Sequence, residues 1–206
     1  MTNRMGMVTC ELTISADGYS AGLNQTEERP FGDDGGDGWG DKLHAWMADT
    51  PEENPAEVDQ MTAAKAFIIG RNMFGPVRGE WDRQWNGWWG DDPPFHVPVF
   101  VLTHHARETL VMKGGTSFTF VTDGIEAAVT QARAVAGDKD VLAAGGGSLA
   151  QLCLAAGLLD ELQIHVVPLF LGDGVRLFDH IDPTVELEAT RVIESPTVTH
   201  LRYRVK

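Results

Sequence analysis

DVLAAGGGSLAQLCLAAGLLDEL, residues 140–162, carries the strongest structural signal in this sequence. An apolar segment of strand length runs into Gly145, Gly146 and Gly147, and a helical pattern follows over 148–156. Glycines let a backbone approach a pyrophosphate, and a helix start offers unpaired N–H groups and a positive dipole end. The stretch therefore predicts a strand, a phosphate-binding turn and a helix, with a tight turn that binds nothing as the alternative.

Strands and helices alternate on both sides of this stretch. Strand patterns occupy 7–14, 66–70, 97–103, 117–122 and 162–170, and helical patterns occupy 40–48, 56–64 and 124–136. Such alternation predicts parallel crossovers and a mainly parallel sheet that is covered on both faces. Segments 185–194 and 198–206 flank Ser195-Pro196-Thr197 and predict a C-terminal antiparallel hairpin, which makes the sheet mixed.

Two details of the chain lead to further expectations. Asp123 and Ser148 are placed to cap the helices that follow them. Two regions, 23–38 and 75–98, have the composition of loops, and the second contains four tryptophans. We interpret this tryptophan-rich loop as either a lid over a flat ligand or a dimer contact.

Composition limits the classes of function. The 206 residues fit a single domain, 1–206, and the net charge of −14 argues against nucleic acid or an anionic membrane as partner. Cys10 and Cys153 form no metal or redox motif and are expected in the core of a cytoplasmic protein. The start of the chain has no signal-peptide pattern, no apolar run reaches the length of a spanning helix, and the seven histidines lack metal-ligand spacing, so no metal is expected.

Candidate binding residues follow three predicted strands. GGGSLA fits the letters of a dinucleotide fingerprint, but it lies late in the chain and lacks the acidic residue that ends the next strand, which disfavours a Rossmann domain. Arg71 follows the strand AFIIG and can pair with a phosphate, although a solvated arginine explains it equally well. Thr103 and His104 follow VFVL and can contact a phosphate or ribose.

The order of SADGYSAG, IIGRNMF, VFVLTHH and AAGGGSLAQLCLAAGLLDELQIHVVPLFLGDGVRLF resembles the dihydrofolate-reductase-like family. It is most similar to the branch that includes the reductase domain of the riboflavin-biosynthesis deaminase-reductase. The resemblance implies a three-layer α/β fold, NADPH as cofactor and a homodimer. By similarity, the cofactor-binding residues would be Thr13, Ile14, Trp39, Arg71, Asn72, Thr103, His104, Gly145, Gly146, Gly147, Ser148 and Leu149.

At two positions the sequence differs from that family, and both differences argue against the family's known substrates. Dihydrofolate reductases carry an acid on the first helix, where this chain has Leu43, and the riboflavin branch carries a glutamate before the glycine turn, where it has Ala144. We expect a reductase for a C=N or C=O bond in a small heterocyclic molecule, with Asp41, Trp46 and Trp81 beside the substrate. The alternative is a nucleotide-binding or sensing module that has the same fold and turns nothing over.

Overall fold

The computed structural model describes residues 6–33 and 38–206, which form eleven strands and five α-helices. The strands are β1 (Val8–Ser15), β2 (Tyr19–Ala21), β3 (Ala66–Gly70), β4 (Pro98–Leu102), β5 (Leu110–Val111), β6 (Ser117–Val121), β7 (Val141–Ala144), β8 (Glu161–Val167), β9 (Val175–Arg176), β10 (Leu187–Glu194) and β11 (Thr199–Val205). The helices are α1 (Trp39–Ala48), α2 (Pro55–Ala63), α3 (Arg71–Phe74), α4 (Ile125–Ala136) and α5 (Gly147–Ala155).

A nine-stranded sheet organises the described residues, in the order β10-β11-β8-β1-β7-β3-β4-β6-β5. The strands from β8 to β6 are parallel to their neighbours, whereas β10, β11 and β5 pair antiparallel. Strands β2 and β9 form a separate two-stranded ribbon. The prediction of a mainly parallel mixed sheet with a C-terminal hairpin is confirmed.

One face of the sheet is covered by α4 and α5. Alternate residues of β1, from Val8 to Ile14, point into this layer and meet the buried side of α4. Cys10 and Cys153 also lie in this layer, which confirms the prediction that both are core residues. Burial raises the pKa of the Cys10 thiol well above its usual value and that of Cys153 to about 12.

The opposite face is covered in two separate parts. Leu43 and Trp46 of α1 pack over the end of β8, while the tryptophan-rich loop packs over β3, β4 and β6. In that loop Trp85 donates a hydrogen bond from Nε1 to the carbonyl of Phe74 at 2.9 Å. The loop thus supplies a packed layer where the chain has no helix. Trp81, Trp85 and Trp89 pack against the sheet in this layer, and the interpretation of the loop as a lid over a flat ligand or a dimer contact stays a prediction.

Two helix starts differ from the sequence prediction. Helix α4 is preceded by Gly124 with φ of 91°, and neither Asp123 nor any other side chain caps it. Helix α5 is preceded by Gly146, so Ser148 already lies inside the first turn. In both cases glycine supplies the turn, and the predicted cap residue sits one or two positions off register.

Candidate functional site

Strand β1 has an unpaired edge at the carboxyl end of the sheet. Its pairing with β7 ends where Glu11 lies beside Ala144, while its pairing with β8 continues to Ser15. The backbone over 12–15 therefore faces a gap that opens where β7 turns into α5. Ligands of parallel sheets bind at the carboxyl ends of the strands, so this gap is the natural place to search for a site.

The glycine turn borders the same gap, and its three glycines differ in what requires them. Gly145 has φ of +136°, which side chains rarely adopt. A Cβ on Gly147 would lie 2.9 Å from the carbonyl oxygen of Arg176, so β9 packs against this residue. Gly146 has an ordinary backbone conformation, is exposed, and has only the Ser20 hydroxyl near its missing Cβ, at 3.8 Å. Packing explains two of the glycines and leaves Gly146 open to a ligand.

The start of α5 offers less than the sequence predicts. The amide of Gly147 donates to Ser20 Oγ at 3.1 Å, and the amide of Leu149 donates to the carbonyl of Gly146 at 3.1 Å. The Leu149 side chain is buried in the core. Leu149 therefore presents neither a free amide nor a side chain, and its predicted cofactor contact is corrected. Ser148 remains exposed at the second position of the helix.

Arg71 and Thr103, each predicted to follow a strand, are in direct contact because β3 and β4 are neighbours in the sheet. The guanidinium of Arg71 donates from Nη1 to Thr103 Oγ1 at 2.8 Å. It also donates from Nε to the carbonyl of Val77 and from Nη2 to the carbonyl of Gly79, both at 3.1 Å. Three of its five N–H groups are thus used, and two remain for a ligand. Asn72 and His104 are exposed next to this pair.

Trp81 lies between two arginines at this edge. Its ring is 3.3 Å from the Arg71 guanidinium carbon and 4.8 Å from that of Arg107. Burial lowers the pKa of both guanidiniums, and the nearby charges of Arg78 and Arg107 lower that of Arg71 further. The closeness of Arg71, Arg78 and Arg107 gives this edge a positive potential in a chain that is acidic overall. Trp81 therefore supports the two arginines at this edge of the sheet, and its place beside a substrate stays a prediction.

Three residues predicted beside the nicotinamide or the substrate, Thr13, Ile14 and Trp46, are buried. Thr13 faces the α1 side of the sheet, but Ile14 points into the core on the other face. Trp46 is 1% exposed and donates from Nε1 to Thr13 Oγ1 at 3.2 Å. A side chain with so little exposed surface cannot line a substrate site, so Trp46 is corrected to a core residue that positions Thr13. Ile14 is corrected as well, because its side chain lies in the core and only its backbone can contact a ligand.

The remaining predicted residues lie on α1. Asp41 is exposed in its first turn, and Leu43 is fully buried. Trp39 is the first residue of the helix, and its side chain lies outside the described part of the structure. No carboxylate occupies the inner face of α1 at the Leu43 position.

Sequence reasoning missed one group of polar residues entirely. Glu11, His165 and His200 are buried in a hydrogen-bonded row on the α1 face of the sheet. Burial lowers the pKa of His200 to about 4, so its imidazole is neutral near pH 7. The only sequence signal for this row is the presence of polar residues, such as Glu11 and His165, within segments that otherwise have the apolar pattern of strands.

Residues 6–33 and 38–206 contain no group of three or more His, Cys, Asp or Glu residues that could hold a metal ion. No helix in the same ranges is long and apolar enough to cross a membrane.

The class of protein follows from the fold and from this edge. The chain superimposes with a TM-score of 0.60 on a dihydrofolate reductase from Enterococcus faecalis complexed with NADP(H), at 13% identity and over 98% of each chain. It matches a putative riboflavin biosynthesis protein from Shewanella sp. PV-4 with a TM-score of 0.64, at 23% identity, over 97% of this chain and 99% of that one. The fold is therefore the dihydrofolate-reductase-like one.

The family is more specific than the fold. The family model of the RibD C-terminal domain matches residues 6–201, and the chain belongs to this family. A Thermotoga maritima diaminohydroxyphosphoribosylaminopyrimidine deaminase/5-amino-6-(5-phosphoribosylamino)uracil reductase has a TM-score of 0.57 at 13% identity, and the match covers 97% of this chain and 56% of that one. Among curated proteins no sequence match was found. Family and fold together support a role as a reductase.

Proposed function

We propose that this chain is an NADPH-dependent reductase that transfers a hydride to a C=N or C=O bond of a small heterocyclic substrate. The observation that carries the proposal is the gap between β1 and α5, which has the exposed Gly146 on one side and the unpaired backbone of β1 on the other. A backbone with no side chain beside a helix start is what a pyrophosphate requires.

The residues at the edge fit the parts of this cofactor. The turn from Gly145 to Ser148 would hold the pyrophosphate, because Gly146 leaves room for it and α5 directs its dipole there. Arg71, fixed by Thr103 and supported by Trp81, would bind the phosphate of the adenosine half. A phosphate on the adenosine ribose distinguishes NADPH from NADH, and a fixed guanidinium favours the former.

The chain's own contribution is alignment and exclusion of water. When bound, the nicotinamide supplies the hydride, and the protein supplies the position of the acceptor carbon. Thr13 is held by Trp46 at the open end of β1, so its side chain is fixed where we propose that the nicotinamide lies. Ala144 is apolar and Leu43 is buried in the core, so neither position supplies the carboxylate that the family resemblance implies there, which supports a substrate outside the folate and riboflavin pathways.

Two assays test the proposal and separate it from the alternative of a non-catalytic module. The first is titration of NADPH fluorescence with the protein, and the second is steady-state oxidation of NADPH with dihydrofolate and a panel of heterocyclic imines and carbonyls. We expect binding and oxidation with at least one heterocycle. Binding without oxidation across the panel favours the module, and failure to bind either nicotinamide cofactor contradicts both functions.

We also propose that the protein acts as a homodimer. Strand β10 is an edge strand with its apolar Val192 64% exposed, and an exposed apolar edge is a surface that pairs with another chain. Light scattering coupled to size-exclusion chromatography tests this proposal. A monomer at all concentrations would contradict it, and Val192→Lys is expected to weaken the dimer.

A further inference from the structure

A second cavity-forming region lies at the amino ends of the parallel strands, at the edge of the sheet opposite to the proposed cofactor edge. The cavity has a volume of about 430 Å³, which is in the range that holds a small molecule. Its walls come from the first halves of β1, β7 and β8, from the last turn of α2 and from the segment 138–140 that precedes β7. It is therefore separate from the gap between β1 and α5.

Glu11 is the most buried polar residue that lines this cavity. Its side chain is only 4% exposed, and its Oε1 lies 2.8 Å from His165 Nε2 and 3.4 Å from Gln163 Nε2. Its Oε2 has no hydrogen-bond partner among residues 6–33 and 38–206, although the residue faces the cavity. A buried polar atom that lacks a partner is costly, so an N–H group of a ligand in the cavity would stabilise this oxygen.

The charged side chains around Glu11 make the cavity negative. The other charged residues of the lining are Asp138, Asp140, Glu161, Lys139 and Arg202. With Glu11, four acidic residues thus stand against two basic ones, a formal excess of two negative charges. The guanidinium of Arg202 already donates to the neutral amide oxygens of Gln163, at 2.9 Å, and Gln60. The field in the cavity therefore favours a cation over an anion.

Helix α2 contributes to the same preference. Its last residue, Ala63, and the following Ala64 both line the cavity. The carbonyl groups of a last helical turn lack partners within the helix and carry a partial negative charge, so a cation is stabilised beside them. Ala63 and Ala64, together with Met7 and Leu142, also supply apolar surface to the walls. The lining thus suits a ligand that joins cationic groups by an alkyl chain.

Strand register determines the spacing of two carboxyl groups in the cavity. Glu161 pairs with Thr9, which lies two residues before Glu11 on the neighbouring strand. From the rise of a strand and the spacing between strands, the α-carbons of Glu11 and Glu161 are roughly 8 Å apart. Glu11 is buried and Glu161 is half-buried, so the pair extends from the interior of the cavity towards its exposed segment 138–140. A short molecule with an ammonium group at each end can reach both.

We infer that this cavity binds a small aliphatic diamine. One ammonium group donates to Glu11 Oε2, the second lies beside Glu161, and the two charges match the formal excess of the lining. The alkyl chain contacts the apolar wall of Ala63, Ala64 and Leu142. This site goes beyond the proposed function and does not depend on it, because it involves neither the glycine turn nor the arginines of the cofactor edge.

The first test is isothermal titration calorimetry of the full chain with 1,4-diaminobutane, in the absence of NADPH. The matched control ligand is 1,4-butanediol, which has the same length and no charge. We expect saturable one-to-one binding of the diamine and none of the diol. No binding of the diamine at concentrations up to about 10 mM, or equal binding of the diol, overturns the inference.

The second test uses variants of the lining. Glu11→Gln should raise the Kd for 1,4-diaminobutane about 30-fold or more, as loss of a buried charge partner does. Glu161→Gln should raise it roughly two- to fivefold, the smaller effect of a more exposed pair. Glu188→Gln is the matched control, because Glu188 lies on β10, three strands from β1, and should leave the Kd unchanged. Wild-type affinity in folded Glu11→Gln, or an equal loss in Glu188→Gln, overturns the inference.

A third measurement decides the matter if Glu11→Gln does not fold. Nitrogen-15 correlation NMR of wild-type protein, titrated with 1,4-diaminobutane, locates the backbone amides that respond. We expect the largest shifts at Thr9, Ala64 and Leu142, which line the cavity on three different elements. Shifts confined to other parts of the chain would contradict a diamine site at the amino edge of the sheet.

Discussion

Placing a negative charge at Gly146 should weaken NADPH binding without disturbing the fold. The residue is exposed, its φ of −80° suits any side chain, and a Cβ at this position would meet only Ser20 Oγ, at an ordinary contact distance of 3.8 Å. We therefore expect Gly146→Asp to change the free energy of unfolding by less than about 0.5 kcal/mol, as other exposed substitutions do. Any loss of binding is then a local effect.

The size of that loss follows from Coulomb's law. A carboxylate roughly 5 Å from one phosphate charge costs about 1–3 kcal/mol for effective dielectric constants between roughly 80 and 20. This corresponds to roughly a 5- to 150-fold rise in the Kd for NADPH. Gly146→Asn is the matched control, because it has nearly the same shape without the charge. The difference between the two variants should shrink in high salt, which screens exposed charges.

The assay is titration of NADPH fluorescence in both variants and in wild-type protein. Thermal unfolding of each variant establishes that it is folded. If Gly146→Asp binds NADPH within twofold of wild type while folded, the glycine turn does not hold the pyrophosphate and the reasoning is refuted.

Three other predictions concern packing and buried groups. Gly147→Ala places a Cβ 2.9 Å from a backbone oxygen of β9, so it should cost about 1–3 kcal/mol and lower the Tm by roughly 3–10 °C; an unchanged Tm would contradict the packing. Because the pKa of folded His200 lies below the unfolded value, the free energy of unfolding should fall on the order of 1–3 kcal/mol as the pH drops from roughly 6.5 to about 4. Denaturant melts of His200→Gln should lack that part of the slope. Cys10 and Cys153, with raised pKa values, should react with a thiol reagent only after unfolding, and rapid labelling of native protein would show that the core opens.

The sheet could be predicted because its strands are short apolar segments separated by amphipathic helices. This pattern follows directly from burial on both faces, which parallel strands require. The placement of Arg71 and Thr103 at one edge of the sheet could be predicted for the same reason, because both follow parallel strands and such strands end at one edge. Periodicity thus determines which residues share an edge.

The tryptophan-rich loop shows where periodicity fails. Its tryptophans have neither helical nor strand spacing, yet Trp85 and Trp89 pack over the buried phenylalanines of the sheet. Their irregular positions are fixed by tertiary contacts, such as the Trp85 hydrogen bond to Phe74. Trp46 is a different case, because its spacing from Leu43 on α1 already marks an inward face.

The polar row could not be derived without strand register. Glu11 and His165 are 154 positions apart, and their contact depends on the parallel pairing of β1 with β8. His165 and His200 meet because β11 pairs antiparallel with β8. A single sequence gives the face on which each residue lies, but not which strands are neighbours.

The most direct test of the central claim is a map of the backbone amides that respond to NADPH, by nitrogen-15 correlation NMR of the assigned protein. The account predicts that the largest shifts fall at Gly145, Gly146 and Ser148, with a second group at Arg71 and Thr103. Shifts confined to other regions, or none at saturating NADPH, would contradict a cofactor site at the carboxyl edge of this sheet.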